Sequence, residues 1–298
     1  MTFIVLYGIK ENRRDVTEIC LNKLTENNII TIPNGDTKRA LFFNDHLFGI
    51  EKSIFIIVEQ TEKEYNQTYT IKINVVDSTV IAQNNEAINI KLKRIHNKLK
   101  IKYGSFKEEL PEQKMTVAYL TGTERVLEIG GNIGRNSLVI ASIVNNDNFV
   151  SLESDPNIAK QLEENRHLNK FTFHIENSAL SKRKLIQKAW DSKPSDVLEE
   201  GYKWVNTISL DDLKTKYNIN FDTLVLDCEG AFYYILMDMP EILDNIKLII
   251  MENDYYDISH KSYVDSILRK YNFYTDYKEA GGWGGCFNNF FEVWKLKN

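Results

Sequence analysis

The chain carries only three cysteines, Cys20, Cys228 and Cys286, and five prolines in 298 residues. An odd, unpaired set of thiols excludes a disulfide framework and implies reduced cysteines in a cytoplasmic protein. No stretch reaches the roughly 18 apolar residues of a membrane span. The opening MTFIVLYGIKENRR has no basic leader before its apolar run and no small-residue cleavage signal, so a secretory peptide is not expected. A basic excess is missing too. The net charge of −5 argues against a dedicated binder of nucleic-acid backbone. Internal repeats and low-complexity tails are absent.

What is present is an ordinary globular composition, 43% hydrophobic and 27% charged. Such a chain can bury a core for one large domain or two ordinary ones. The pattern divides it into residues 1–85, a connection at 86–108, and 109–298. The first part reads as α+β. A strand is expected over 2–9, and a helix opened by an Asp15/Glu18 capping box runs to about Asn27. Asn34-Gly35 marks a turn, and strands follow over 53–59 and 69–81. Between Lys91 and Lys102 six basic residues stand without an acid. They could bind an anion, but a solvated face is the commoner use of such a run.

From about Glu109 helix and strand alternate, the signature of a parallel α/β sheet. Strands are expected over 125–129, 148–153, 171–176, 221–227 and 248–252. Helices are expected over 112–120, 136–144, 157–169, 210–217, 231–239 and 262–271. An irregular insertion with Trp190 and Trp204 occupies 181–206. Two last strands, 273–277 and 290–296, flank a glycine-rich turn. A late hairpin after five β/α units is the ending expected of the Rossmann-like sheet of S-adenosylmethionine (SAM) methyltransferases, seven strands with a C-terminal antiparallel pair.

The central motif is V-L-E-I-G-G-N-I-G-R-N, residues 126–136. Gly130 and Gly134 allow a tight turn and close backbone approach to a ligand. Glu128 at the strand end suits a cationic cofactor such as SAM and would repel a pyrophosphate. Asn132 stands where a dinucleotide fingerprint needs its second glycine. Glu153, closing the second strand, could accept both ribose hydroxyls. Asn177 or Ser178 could read the adenine edge, or simply form a turn. Asp227 and Glu229 follow the fourth strand, at the edge where ligands bind in such folds. Glu252 and Asn253 end the fifth. Together with Asp227 they could hold a divalent cation such as Mg through oxygen ligands. Trp283, in G-G-W-G-G, could stack on a sugar face or pack as a hairpin tryptophan. His174 reads as core, His260 as a weaker candidate base, and His46, His96 and His167 as surface.

Three segments in order make the pattern specific. E-I-G-G-N-I-G-R-N, V-N-T-I-S-L-D-D-L at 205–213 and L-D-C-E-G-A at 226–231 resemble the FkbM family of SAM-dependent methyltransferases. The resemblance covers about two thirds of the chain and leaves residues 1–85 outside it. It implies O-methyl transfer to hydroxyls of sugars, lipids or polyketides. It further implies Glu128, Gly130, Asn132, Gly134 and Glu153 as cofactor residues, and Asp227 and Glu229 as active-site residues. Val225 and Phe232 depart from the family's lysine and second acid. A small-molecule or glycan substrate is therefore expected, with nucleic acid disfavoured. No N-P-P-Y or D-P-P-Y motif is present to hold a flipped base. Nucleic-acid methylation and a non-catalytic binding module on the same fold are the alternatives.

Overall fold

The computed structural model describes residues 3–26, 28–189 and 191–297. Thr2, Asn27 and Trp190, which figure in the expectations above, lie outside the described residues. The chain divides into two compact units, 1–91 and 92–298. Among the described residues no helix is long and apolar enough to cross a membrane.

The first unit holds two four-stranded antiparallel sheets. One orders strands 12–15, 3–9, 53–58 and 61–65 side by side; the other orders 25–26, 29–32, 69–74 and 80–84. Alternating residues such as Val5, Tyr7, Ile54, Ile56, Ile71 and Ile73 form its core. Two expectations need correction, and one helix was not expected. The first helix is only Thr17–Lys23: Asp15 Oδ1 accepts from Thr17 N at 2.9 Å, and the chain then turns into strand 25–26. A helix over Asp36–Phe43 follows Gly35, whose φ of 88° suits a glycine. The long strand over 69–81 is a hairpin, because Asn74 Oδ1 accepts from Val76 N and Ser78 turns left-handed at φ 61°.

The second unit is α/β and Rossmann-like. Its sheet has seven strands: β1 (Val126–Ile129), β2 (Phe149–Leu152), β3 (His174–Glu176), β4 (Thr223–Leu226), β5 (Leu248–Glu252), β6 (Phe273–Glu279) and β7 (Phe291–Leu296). They stand in the order 3-2-1-4-5-7-6. Only β7 runs antiparallel to its neighbours, pairing Ile250 with Val293 and Thr275 with Trp294. The central strands are buried on both faces, which is why 126–129, 149–152 and 223–226 read as mainly apolar runs, with Glu128, Ser151 and Thr223 as their polar members. Strand order reverses between β1 and β4. The crevice outside their carboxyl ends is where open α/β sheets take ligands.

The segment 181–206 is not irregular. Strands 185–188, 191–194 and 203–205 form a small antiparallel sheet, here termed the flap, with Ile186 opposite Trp204. The basic run is split between a helix over Asn85–His96 and the coil after it. There the backbone N–H groups of Lys100 and Lys102 donate to Asn169 and Asn165.

Candidate active site

Each loop at the carboxyl edge is held in place by local backbone chemistry. After β1 the chain turns at Gly130, φ 93°; a Cβ there would lie 1.6 Å from the Asp227 carbonyl oxygen. Only glycine lets β1 and β4 approach that closely. Gly130 and Gly131 N–H both donate to Leu152 O, at 3.0 and 2.8 Å. Gly134, φ 95°, packs where a Cβ would meet Leu162 at 2.4 Å. Asn132 is left-handed at φ 48°. Its N–H donates to Glu153 Oε2 at 2.9 Å, and its Oδ1 accepts from Ile133 N at 2.8 Å.

These loops surround a cavity of about 430 Å³. Ile129 to Asn132, Leu152 to Ser154, Ser178 to Ser181, Asp227 to Ala231 and Glu252 each contribute lining groups, and the flap adds Leu185, Gln187, Ser192 and Pro194. The described lining residues include seven acids and no lysine, arginine or histidine. Three non-glycine lining residues sit at positive φ: Glu109 at 54°, Asn132 at 48° and Glu229 at 51°. Such costly conformations cluster at functional sites.

The acids press on one another. Repulsion between neighbouring carboxyls adds to the effect of burial in this cluster. Burial, then the repulsion of Glu252, Glu109, Asp254 and Glu229, raises the Asp227 carboxyl well above the ordinary range. Burial, then Glu252, Asp227 and Glu109, raise Glu112, while burial with Glu252 and Glu229 pushes Asp254 up to about 8. Glu109 is raised by burial although Arg135 lies 2.5 Å away as its ion-pair partner. Carboxylate oxygens of Asp227, Glu252 and Asp254 lie within 4.8 Å of one another, as do those of Glu109, Glu112 and Asp227.

The structure places the sequence candidates unevenly. Gly130, Asn132, Glu153, Ser178, Asp227, Glu229 and Glu252 line the cavity. Glu153 spends Oε2 on Asn132 N and Oε1 on Asp155 N. Gly134 and Glu128 do not line it. Glu128, 3% exposed, borders a much smaller void beneath the turn, and Ser137 and Ser151 Oγ both donate to its Oε2 at 2.5 Å. Asn177 turns its amide to Glu153 O and Ser154 O, at 2.8 and 3.3 Å. Asn253 is not beside the acids: its Nδ2 donates to Asn289 O at 2.6 Å, and Asp254 takes the place expected of it. Trp283 packs against Tyr256 at 4.5 Å, while its neighbour Gly282 lines the cavity. His260 stacks on Tyr233 at 3.8 Å, outside the lining. His46 is not a surface group, because both its ring nitrogens are buried without a hydrogen-bond partner and its ring meets Tyr7 edge-on at 5.9 Å.

Glu109, Glu112 and the flap escaped sequence reading. The i, i+3 spacing of the two acids at the start of the helix Leu110–Tyr119 is the one signal that put them on a common face.

No protein-family model matches the chain, and no curated protein matches it in sequence. Solved structures do resemble it in shape. The ribosomal protein L11 methylase from Lactobacillus delbrueckii subsp. bulgaricus superposes with a TM-score of 0.42 at 11% identity, covering 66% of this chain and 82% of that one. The O-methyltransferase from Bacillus cereus, solved in complex with SAH, gives 0.40 at 13% identity, over 71% and 90% of the two chains.

Proposed function

We propose that the chain is a SAM-dependent O-methyltransferase of FkbM type acting on a hydroxyl of a sugar or glycan. One observation carries the cofactor reading: a cavity at the β1/β4 reversal walled by seven acids and no base. A wall of that sign repels a pyrophosphate or any phosphorylated ligand and attracts a sulfonium with its ammonium group. The residues present fit SAM, since the lining offers carboxyl oxygens where a cation is needed and Glu153 stands at the second strand end. The three motif segments support the family. The substrate class follows from the family's tendency and from the aromatic pair Tyr256–Trp283 beside Gly282.

SAM, when bound, supplies an electrophilic methyl group on a sulfonium. This chain's part is to orient and to take a proton. Holding the two reactants in line is worth roughly 7–11 kcal/mol of barrier at best. Asp227, made more basic by its surroundings, would accept the proton of the substrate hydroxyl. Asp227, Glu252 and Asp254 would also hold a divalent cation such as Mg, whose chemistry there is to acidify a coordinated hydroxyl.

The test is Asp227→Asn. It should bind S-adenosylhomocysteine (SAH) within a few-fold of the wild type and lose about 10²–10⁴-fold in turnover. Turnover is scored as methyl transfer from labelled SAM to a panel of sugars, with RNA beside it. Unchanged turnover overturns the role of Asp227, and methylation of RNA alone overturns the substrate class.

A further inference from the structure

The flap crosses the cavity beside the end of β2 and is fastened there at two neighbouring points. Ser154 Oγ donates to Gln187 Oε1 at 3.3 Å, and Lys203 Nζ pairs with Asp155 Oδ2 at 2.5 Å. Gln187 and Lys203 are cross-strand partners, so both fasteners leave one side of the flap. They directly follow Glu153, the acid that would hold the ribose. A base extending from that ribose would have the flap beside it.

Gln187 is 6% exposed and lines the cavity. Its amide oxygen has one donor, and its amide nitrogen makes no hydrogen bond to the described protein. That donor is left available to a ligand in the cavity. The other amide in the lining, Asn132, is spent on Ile133 N and on Glu109. Both residues that sequence reasoning offered for the base are committed as well. Asn177 donates to backbone carbonyls, and Ser178 Oγ donates to Glu176 Oε1 at 2.9 Å.

We propose that Gln187 reads the adenine of the cofactor from the flap. A carboxamide offers one donor and one acceptor in a plane, which matches the N6 amino group and a ring nitrogen of adenine. The acceptor oxygen has a second lone pair besides the one used by Ser154. Hypoxanthine presents a carbonyl oxygen where adenine has its amino group, so it would set acceptor against acceptor. The inference rests on the SAM reading above and adds a specificity-determining residue to it.

The experiment titrates SAH and S-inosylhomocysteine into the wild type and into Gln187→Met by calorimetry. The wild type should prefer the adenine ligand by about ten-fold or more, the size of one good bidentate contact. Gln187→Met should bind SAH about ten-fold more weakly and hold the two ligands within about two-fold of each other. Equal binding of both ligands by the wild type overturns the role of Gln187 and leaves the cofactor reading standing. Should the variant fail to fold, the wild-type comparison still decides. A wild type that binds neither ligand overturns the cofactor reading itself.

Discussion

The Glu128 carboxylate is sealed beneath the glycine turn, with two serine hydroxyls as its hydrogen-bond partners. Burial raises its pKa from 4.5 to about 7, against the opposing pull of Ser137 and Ser151. The native state therefore keeps a proton that the unfolded chain releases. Between pH 4.5 and 7 the folded form binds more protons, so stability falls as pH rises, and the penalty is complete above 7. At 1.36 kcal/mol per unit, the span amounts to roughly 3 kcal/mol. Glu128→Gln keeps an acceptor for the serines and carries no charge. It should match the wild type in urea unfolding at pH 4.5 and exceed it at pH 8 by an amount of that order. A variant that parallels the wild type across this range would show that the carboxyl is ionised without cost.

At the scale of elements, Lys203 and Asp155 help to fasten the flap to the end of β2. Its link to β2 is half-exposed: the Lys203 and Asp155 side chains are 49% and 19% accessible. Such pairs contribute about 1 kcal/mol at most. Asp155 also caps the helix Pro156–Leu168 through Asn157 N and Ile158 N, so the lysine is the cleaner residue to remove. Lys203→Ala should leave the melting temperature nearly unchanged. It should speed amide exchange in strands 185–188 and 203–205, and the release of SAH, by about five-fold, the factor that 1 kcal/mol commands. Unaltered exchange there would mean that Gln187 and Ser154 alone hold the flap.

Elements also show what the sequence could and could not reveal. Strands buried on both faces, such as β1, β4 and β5, declare themselves as apolar runs, and so their order of use along the chain was legible. The flap strand 191–194 is D-S-K-P, with no apolar alternation, because its pairing is made by backbone and not by side-chain burial. The hairpin at 69–84 was hidden because Val75 continues the apolar rhythm into the turn. In the site, strand-end acids could be read from motif position, and Glu153, Asp227 and Glu252 line one cavity. Side-chain direction could not. Glu128 turns under the glycine loop, Asn253 turns to Asn289, and Glu112 arrives from a helix that no motif marks.

At the scale of the whole molecule, each unit has its own apolar cluster, one built around Val5, Ile30, Ile56 and Ile73, the other around the seven-stranded sheet. The cavity and its acids belong wholly to the second unit. A ligand that binds only the folded second unit stabilises it by RT ln(1 + [L]/Kd), about 2.7 kcal/mol at a hundred-fold excess over Kd. Amides of β1, β4 and β5 that exchange through global opening of that unit should then slow by about 100-fold in saturating SAH. Amides of Val5, Ile56 and Ile73 belong to a different cluster and should keep their rates. Equal slowing in both sets would mean that the two cores open as one cooperative body, and the 92–298 unit could not then be treated as the sole energetic host of the cofactor.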